Sequence, residues 1–255
     1  MNIGLIKTRA KEELNKNKEG MIRVVLIISL LSVLPTLFSD TDYSWIGIVL
    51  SIIFIPLEFA FVYTGLHYAT GCAETINEYD SLVGVKNWFK LIGTYICRYI
   101  YVFAYSLLPG LFFGFCMSFV MTGFQVDTIL LILAVVFGII LCFVAIGAFF
   151  KTTLTMYLYE DYGLKNMTAV RESSRLMKGH VGDLLRLYLS FLPWIILHVA
   201  IMAGGFYFLQ QGLPQTVAVI VSGILGMLFA TYTYLPLFNV SLAVFYKEIV
   251  YHAYH

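Results

Sequence analysis

Charge is scarce in this sequence: Asp, Glu, Lys and Arg make up 12% of its 255 residues, while 60% are hydrophobic. Soluble domains carry about twice that share of charge. Too few polar groups exist to coat a water-soluble globule, which excludes a cytosolic enzyme domain. Cysteine is scarce as well. The four thiols, Cys72, Cys97, Cys116 and Cys142, form no CxxC pair, so neither a disulfide framework nor a structural zinc site is expected. Enzyme signatures are missing: no HExxH, GxSxG or Walker loop occurs, and no GxGxxG stands in a suitable context. No separate basic domain exists for a nucleic acid to bind.

Apolar length is abundant. Mean hydropathy is +0.85, and Phe and Tyr contribute 21 and 18 residues. A helix needs about 20 apolar residues to cross roughly 30 Å of hydrocarbon. Six runs qualify, near 22–39, 45–69, 91–122, 128–158, 184–209 and 215–246. The first follows a basic leader, but Thr36-Leu37-Phe38-Ser39-Asp40 lacks a small-x-small cleavage pattern, so it reads as an uncut helix. The expected fold is therefore all-α, a polytopic transmembrane bundle forming a single domain over 1–255.

The 16 basic residues set the orientation. They precede or open the first span, surround the start of the third, fill the connection between the fourth and fifth, or follow the sixth. The connections near 40–44, 123–127 and 210–214 hold none of them and carry Asp40, Asp42 and Asp127 instead. Lys and Arg stay on the cytoplasmic side, which places both termini there. Two stretches read as amphipathic helices at the interface. In the segment 1–20, Ile3, Ile6, Ala10 and Leu14 share a stripe. In the segment 165–180, Asn166 or Thr168 caps a helix stopped by Gly179. There Val170, Ser174 and Met177 face one way and Arg171, Arg175 and Lys178 another, which suits lipid headgroups. A solvated linker packed on the bundle is the competing reading.

Without a hydrophobic drive between membrane helices, small residues set the contacts. Stripes of that kind are Ala134, Gly138, Cys142 and Ala145; Ser222, Gly226 and Ala230; and Gly65 with Ala69. Pro35, Pro56, Pro109, Pro193 and Pro236 fall in the apolar runs and predict kinks; the third run, 91–122, overshoots the hydrocarbon and is expected to tilt, to begin with an interfacial turn, or to break at Pro109-Gly110.

The polar exception is Glu58, a carboxylate central to the second run. Arg98, two turns into the third, is its obvious partner and shares a stripe with Tyr95, Tyr101 and Tyr105. The group reads either as a proton- or ion-coupled binding site or as one ion pair locking two helices. His67 and His198 are each expected to be neutral and bonded to a carbonyl. His252 and His255 read as part of a frayed tail. No catalytic residue, metal ligand or cofactor is assigned.

One region carries a resemblance. The residues Tyr157-Leu158-Tyr159-Glu160-Asp161, Ala169, Ser174-Arg175-Leu176-Met177-Lys178-Gly179-His180, Leu189-Ser190-Phe191 with Trp194, Pro236 and Phe245-Tyr246 resemble a bacterial family of six-span membrane proteins. It is catalogued as the domain-of-unknown-function family numbered nine seventy-five. The resemblance implies an integral protein of the bacterial cell membrane with cytoplasmic termini, and supplies no activity. The expected function is a non-enzymatic envelope, partner-binding or immunity-type component. Its expected partners are membrane lipids and a membrane protein or a second copy, not nucleic acid. The alternatives are a small-solute or lipid transporter using Glu58 and Arg98 and, less well supported, an intramembrane enzyme acting on lipids.

Overall fold

The computed structural model describes residues 2–38, 43–121 and 128–254, and every regular element within them is helical. Helix α1 spans Ile3–Lys16 and α2 Lys18–Val33, which tightens into a 3₁₀ turn over Leu34–Phe38. Helices α3 (Ser44–Phe54) and α4 (Leu57–Ala69) follow, then 3₁₀ turns at Ala73–Thr75 and Glu78–Leu82 and the short α5 (Val83–Lys86). The remaining helices are α6 (Trp88–Met121), α7 (Thr128–Lys151), α8 (Thr155–Tyr162), α9 (Asn166–Leu176), α10 (Val181–Leu189), α11 (Leu192–Leu209), α12 (Gln215–Thr233) and α13 (Leu235–Tyr254). The chain forms two compact units, one of residues 1–92 with 182–255 and one of residues 93–181. Asp40, Asp42, Asp127 and His255 lie outside the described residues.

In the first unit, α1 begins at Asn2, whose side-chain oxygen accepts from the Gly4 and Leu5 amides. Ile6, Ala10 and Leu14 recur every fourth residue, so they share one face. All three are buried, in a helix that packs on α13 and α4. The amphipathic stripe read at the N-terminus is thus covered by protein. Asn17 then works in both directions. Its Oδ1 accepts from Gly20 N–H to cap α2, while Nδ2 donates to the carbonyls of Ala73 and Ile76 at 2.9 and 3.2 Å. The buried Tyr68 hydroxyl donates to the Asn17 carbonyl. On α4, Gly65 faces Ala243 and Asn239 of α13, the close approach its small size predicts.

The helices α3, α11 and α12 behave differently. Among them α3 buries Gly47 and α11 buries nothing. Large apolar side chains such as Ile48, Ile196 and Phe208 (72% exposed) point outward. A bilayer would solvate such faces; water would not. Helices α11 and α12 meet instead through small residues: Gly226 lies against Met202 and His198, and Gly205 against Ser222. In the second unit Gly138 of α7 likewise receives the Phe112 and Phe113 rings of α6.

Four stretches are long and apolar enough to cross a membrane: Ser44–Ala69, Trp88–Cys116, Ala134–Tyr162 and Leu192–Leu209. The pair Val217–Thr233 and Leu235–Ala253, bent by 54°, makes a fifth if counted as one span. Several expected spans are therefore subdivided. The run near 22–39 becomes α2, whose 16 residues fall below span length, followed by its 3₁₀ turn. The run near 184–209 divides at Ser190 and Phe191, and the run near 215–246 bends at Tyr234.

The prolines explain part of this. Pro56 and Pro214 are N-cap residues, Pro193 stands in the first turn of α11, and Pro236 in that of α13. A proline fits a first turn because the N–H it lacks has no partner there anyway. Pro109 is the exception, because α6 continues through it; of the alternatives for this long run, the break is the one not taken.

Candidate polar sites at the helix breaks

Glu58 occupies the first turn of α4, immediately after the Pro56 break, and is exposed. It keeps its central position in the apolar stretch Ser44–Ala69, but at a turn between two helices instead of within a continuous one. With the helix restarting at Leu57, it stands where unpaired backbone N–H groups favour an anion. Gly84 of α5 approaches this break closely enough that an added Cβ would lie 1.8 Å from the Pro56 carbonyl oxygen. One turn earlier, the Trp88 indole N–H donates to the Ile52 carbonyl at 3.4 Å. The polar segment Asn77–Lys86 therefore returns along α4 as far as Pro56, bringing Glu78 within 3.9 Å of Arg23.

Arg98, Tyr95, Tyr101 and Tyr105 belong to the second unit. The Arg98 guanidinium lies over the Phe149 ring, 6.0 Å from its centroid. That contact with an α7 ring holds the cation near the aromatic face it favours. The tyrosines divide. Tyr95 is buried and stacks on Tyr99 with ring centroids 6.3 Å apart. Tyr101 and Tyr105, with centroids 5.0 Å apart, form one wall of a groove of about 350 Å³. Phe143, Val144, Gly147 and Lys151 of α7 form the other wall.

Lys151 is the residue that sequence reasoning misplaced. Grouped with the basic residues of the following connection, it in fact ends α7 inside the apolar stretch Ala134–Tyr162. A lone lysine within an apolar run was the available signal. Beyond it the helix opens for three residues without proline or glycine. Hydroxyls occupy the freed carbonyls: Thr152 and Thr153 donate to Phe149 O at 2.9 and 3.3 Å, and the buried Ser173 of α9 donates to Lys151 O at 2.7 Å. Helix α9 is also held at its start, where Asn166 N–H donates to Thr94 Oγ1 at 3.0 Å and Asn166 Oδ1 packs on Gly93. Gly179 takes the left-handed conformation (φ +90°) just past the helix, as its reading as a stop predicts.

The faces of α9 are those expected, with Ser173 buried instead of Ser174. Val170, Ser173 and Met177 are buried; Arg171, Arg175 and Lys178 are exposed. Arg175 is already engaged by Glu172 at 2.5 Å. Asp183 lies in the first turn of the separate α10 and reaches Arg186 at 3.5 Å.

His67 Nδ1 meets the Tyr63 carbonyl at 2.9 Å, as expected. His198 finds a phenol instead of a carbonyl: its Nδ1 is 3.0 Å from the Tyr234 hydroxyl. Lys7 of α1 was not singled out from the sequence. Its ammonium donates to the Ser190 carbonyl at 3.4 Å and lies 4.3 Å from the Phe191 ring centroid. It thereby caps the break between α10 and α11, and burial lowers its pKa.

No curated protein and no solved structure matches the chain. The family model described as "Protein of unknown function (DUF975)" matches residues 1–253, and the chain belongs to that family.

Proposed function

We propose that this protein is a non-enzymatic component of the bacterial cell membrane that binds a partner through helices exposed on the cytoplasmic face. One observation carries the reading: side-chain burial is concentrated in α1, the first part of α2, α4, α8, α9 and α13, whereas α3 and α11 bury next to nothing. The charge pattern agrees. Between Arg23 and Glu74 the only charged residues are Asp40, Asp42 and Glu58; between Arg98 and Lys151 only Asp127; between Arg186 and Lys247 there are none. Each stretch fits an apolar hairpin of two crossings, giving six in all with both termini cytoplasmic. The breaks at Thr152–Leu154, Phe191 and Tyr234 then mark the inner membrane boundary.

Single cysteines in a cysteine-free background test this reading. Gln211→Cys should react with an impermeant maleimide on intact cells, and Glu13→Cys and Glu248→Cys only after permeabilisation. Labelling of Glu248→Cys from outside overturns the topology. Failure of any protein to co-purify in mild detergent overturns the partner-binding role.

The transport reading has one observation in its favour, an exposed carboxylate at the Pro56 helix break. Unchanged proton-coupled uptake in vesicles bearing Glu58→Gln removes it.

A further inference from the structure

We infer that the groove between α6 and α7 is a binding site for an anionic glycerophospholipid, with its phosphate on Lys151 and an acyl chain beside Gly147. The inference rests on the second unit lying in a bilayer, but not on orientation or on partner binding. Depth supports it first. Lys151 lies 23 residues after the start of α7, and Arg98 lies 23 residues before the end of α6. At about 1.5 Å per residue that is roughly 35 Å, just beyond some 30 Å of hydrocarbon. Both cations therefore stand at headgroup level at the same end of the helix pair.

The groove then runs along α7 from Lys151 to Ile140, roughly 16 Å at the same rise, close to the depth of one leaflet. It is open beside Gly147, where a Cβ would meet nothing within 4 Å. Phe143 and Val144 supply exposed apolar walls, and the Tyr101 hydroxyl, which accepts from Tyr105, supplies a donor. Charge complementarity names the occupant. No carboxylate lines the groove, and the exposed Lys151 ammonium has no ion-pair partner among the described residues. A zwitterionic lipid would bring its own cation towards Lys151 and Arg98, whereas an anionic headgroup brings none.

The test is native mass spectrometry of the full chain in mild detergent, titrated separately with phosphatidylglycerol, phosphatidylcholine and inorganic phosphate. Phosphatidylglycerol should be retained about fivefold better than phosphatidylcholine, the ratio one basic contact gives at a membrane surface. Free phosphate alone should not bind, because the chain contact is missing. Lys151→Gln should bring the two lipids close to parity. Gly147→Leu should reduce retention of both, and Arg171→Gln should leave the preference intact. Equal retention by the wild-type protein overturns the proposal, as does a preference that survives Lys151→Gln or is lost in Arg171→Gln. Binding of phosphate alone at the same strength points to a simple anion site and also overturns it.

Discussion

Replacing Gly84 by alanine tests whether the polar segment before α6 is seated on the Pro56 break. The new Cβ would lie 1.8 Å from the Pro56 carbonyl oxygen, 2.7 Å from its carbon and 3.2 Å from Phe59 Cβ. The first two atoms are backbone, so no rotamer change relieves the clash. Either α5 or the start of α4 must move by more than an ångström, and the Trp88–Ile52 hydrogen bond moves with it. Overpacking of this kind costs about 1–3 kcal/mol, and α5 is too short for alanine's helix preference to offset it. At roughly 2–4 °C per kcal/mol, a loss of about 2 kcal/mol lowers the melting temperature by about 4–8 °C. Intrinsic fluorescence during thermal unfolding in detergent reads this directly, because Trp88 sits beside the contact. Gly114→Ala is the control: its Cβ would meet nothing within 4 Å and it lies inside α6. There the preference of alanine over glycine in a helix holds the melting temperature level or raises it. A Gly84→Ala protein as stable as the wild type would refute this placement of residues 77–88.

Asn17→Ala removes a helix cap and two side-chain amide bonds. It should cost about 2–3 kcal/mol, with faster amide exchange at the start of α2. Ser173→Ala strips the Lys151 carbonyl of its hydroxyl donor and should cost about 1 kcal/mol, with faster exchange confined to Thr152–Thr155. Because burial lowers the Lys7 pKa from 10.5, the unfolded chain holds that proton more tightly than the folded one. Stability therefore rises with pH between the lowered value and 10.5. Melting curves of wild type and Lys7→Met should diverge in favour of the wild type across that window, and a constant difference would refute the assignment.

The features that followed from periodicity and residue size were legible in the sequence. The α1 stripe, the α9 faces, the Gly179 stop and the packing roles of Gly65, Gly138 and Gly226 all follow from side-chain volume at a fixed spacing. What periodicity cannot specify is the surface that covers a stripe. Ile6, Ala10 and Leu14 would suit a headgroup layer or α13 equally well, and only tertiary packing chose α13. Breaks were harder still. Pro109 was one place for a break and α6 runs through it, while the break after Lys151 has no proline and is held open by Thr152, Thr153 and Ser173. The same uncertainty about breaks hid Lys151 among the loop residues.

The pairing of α1 with α13, reinforced by Arg9 and Glu248 at 3.6 Å, has a consequence for biosynthesis. The two helices are more than 200 residues apart in the chain. At about 5–20 residues per second, the apolar face of α1 waits roughly 10–50 s for the helix that covers it. During that interval it is an exposed amphipathic surface beside the nascent membrane segments. A chaperone or the lipid surface is the natural temporary cover, and a chain arrested before α13 would present the same face to proteolysis.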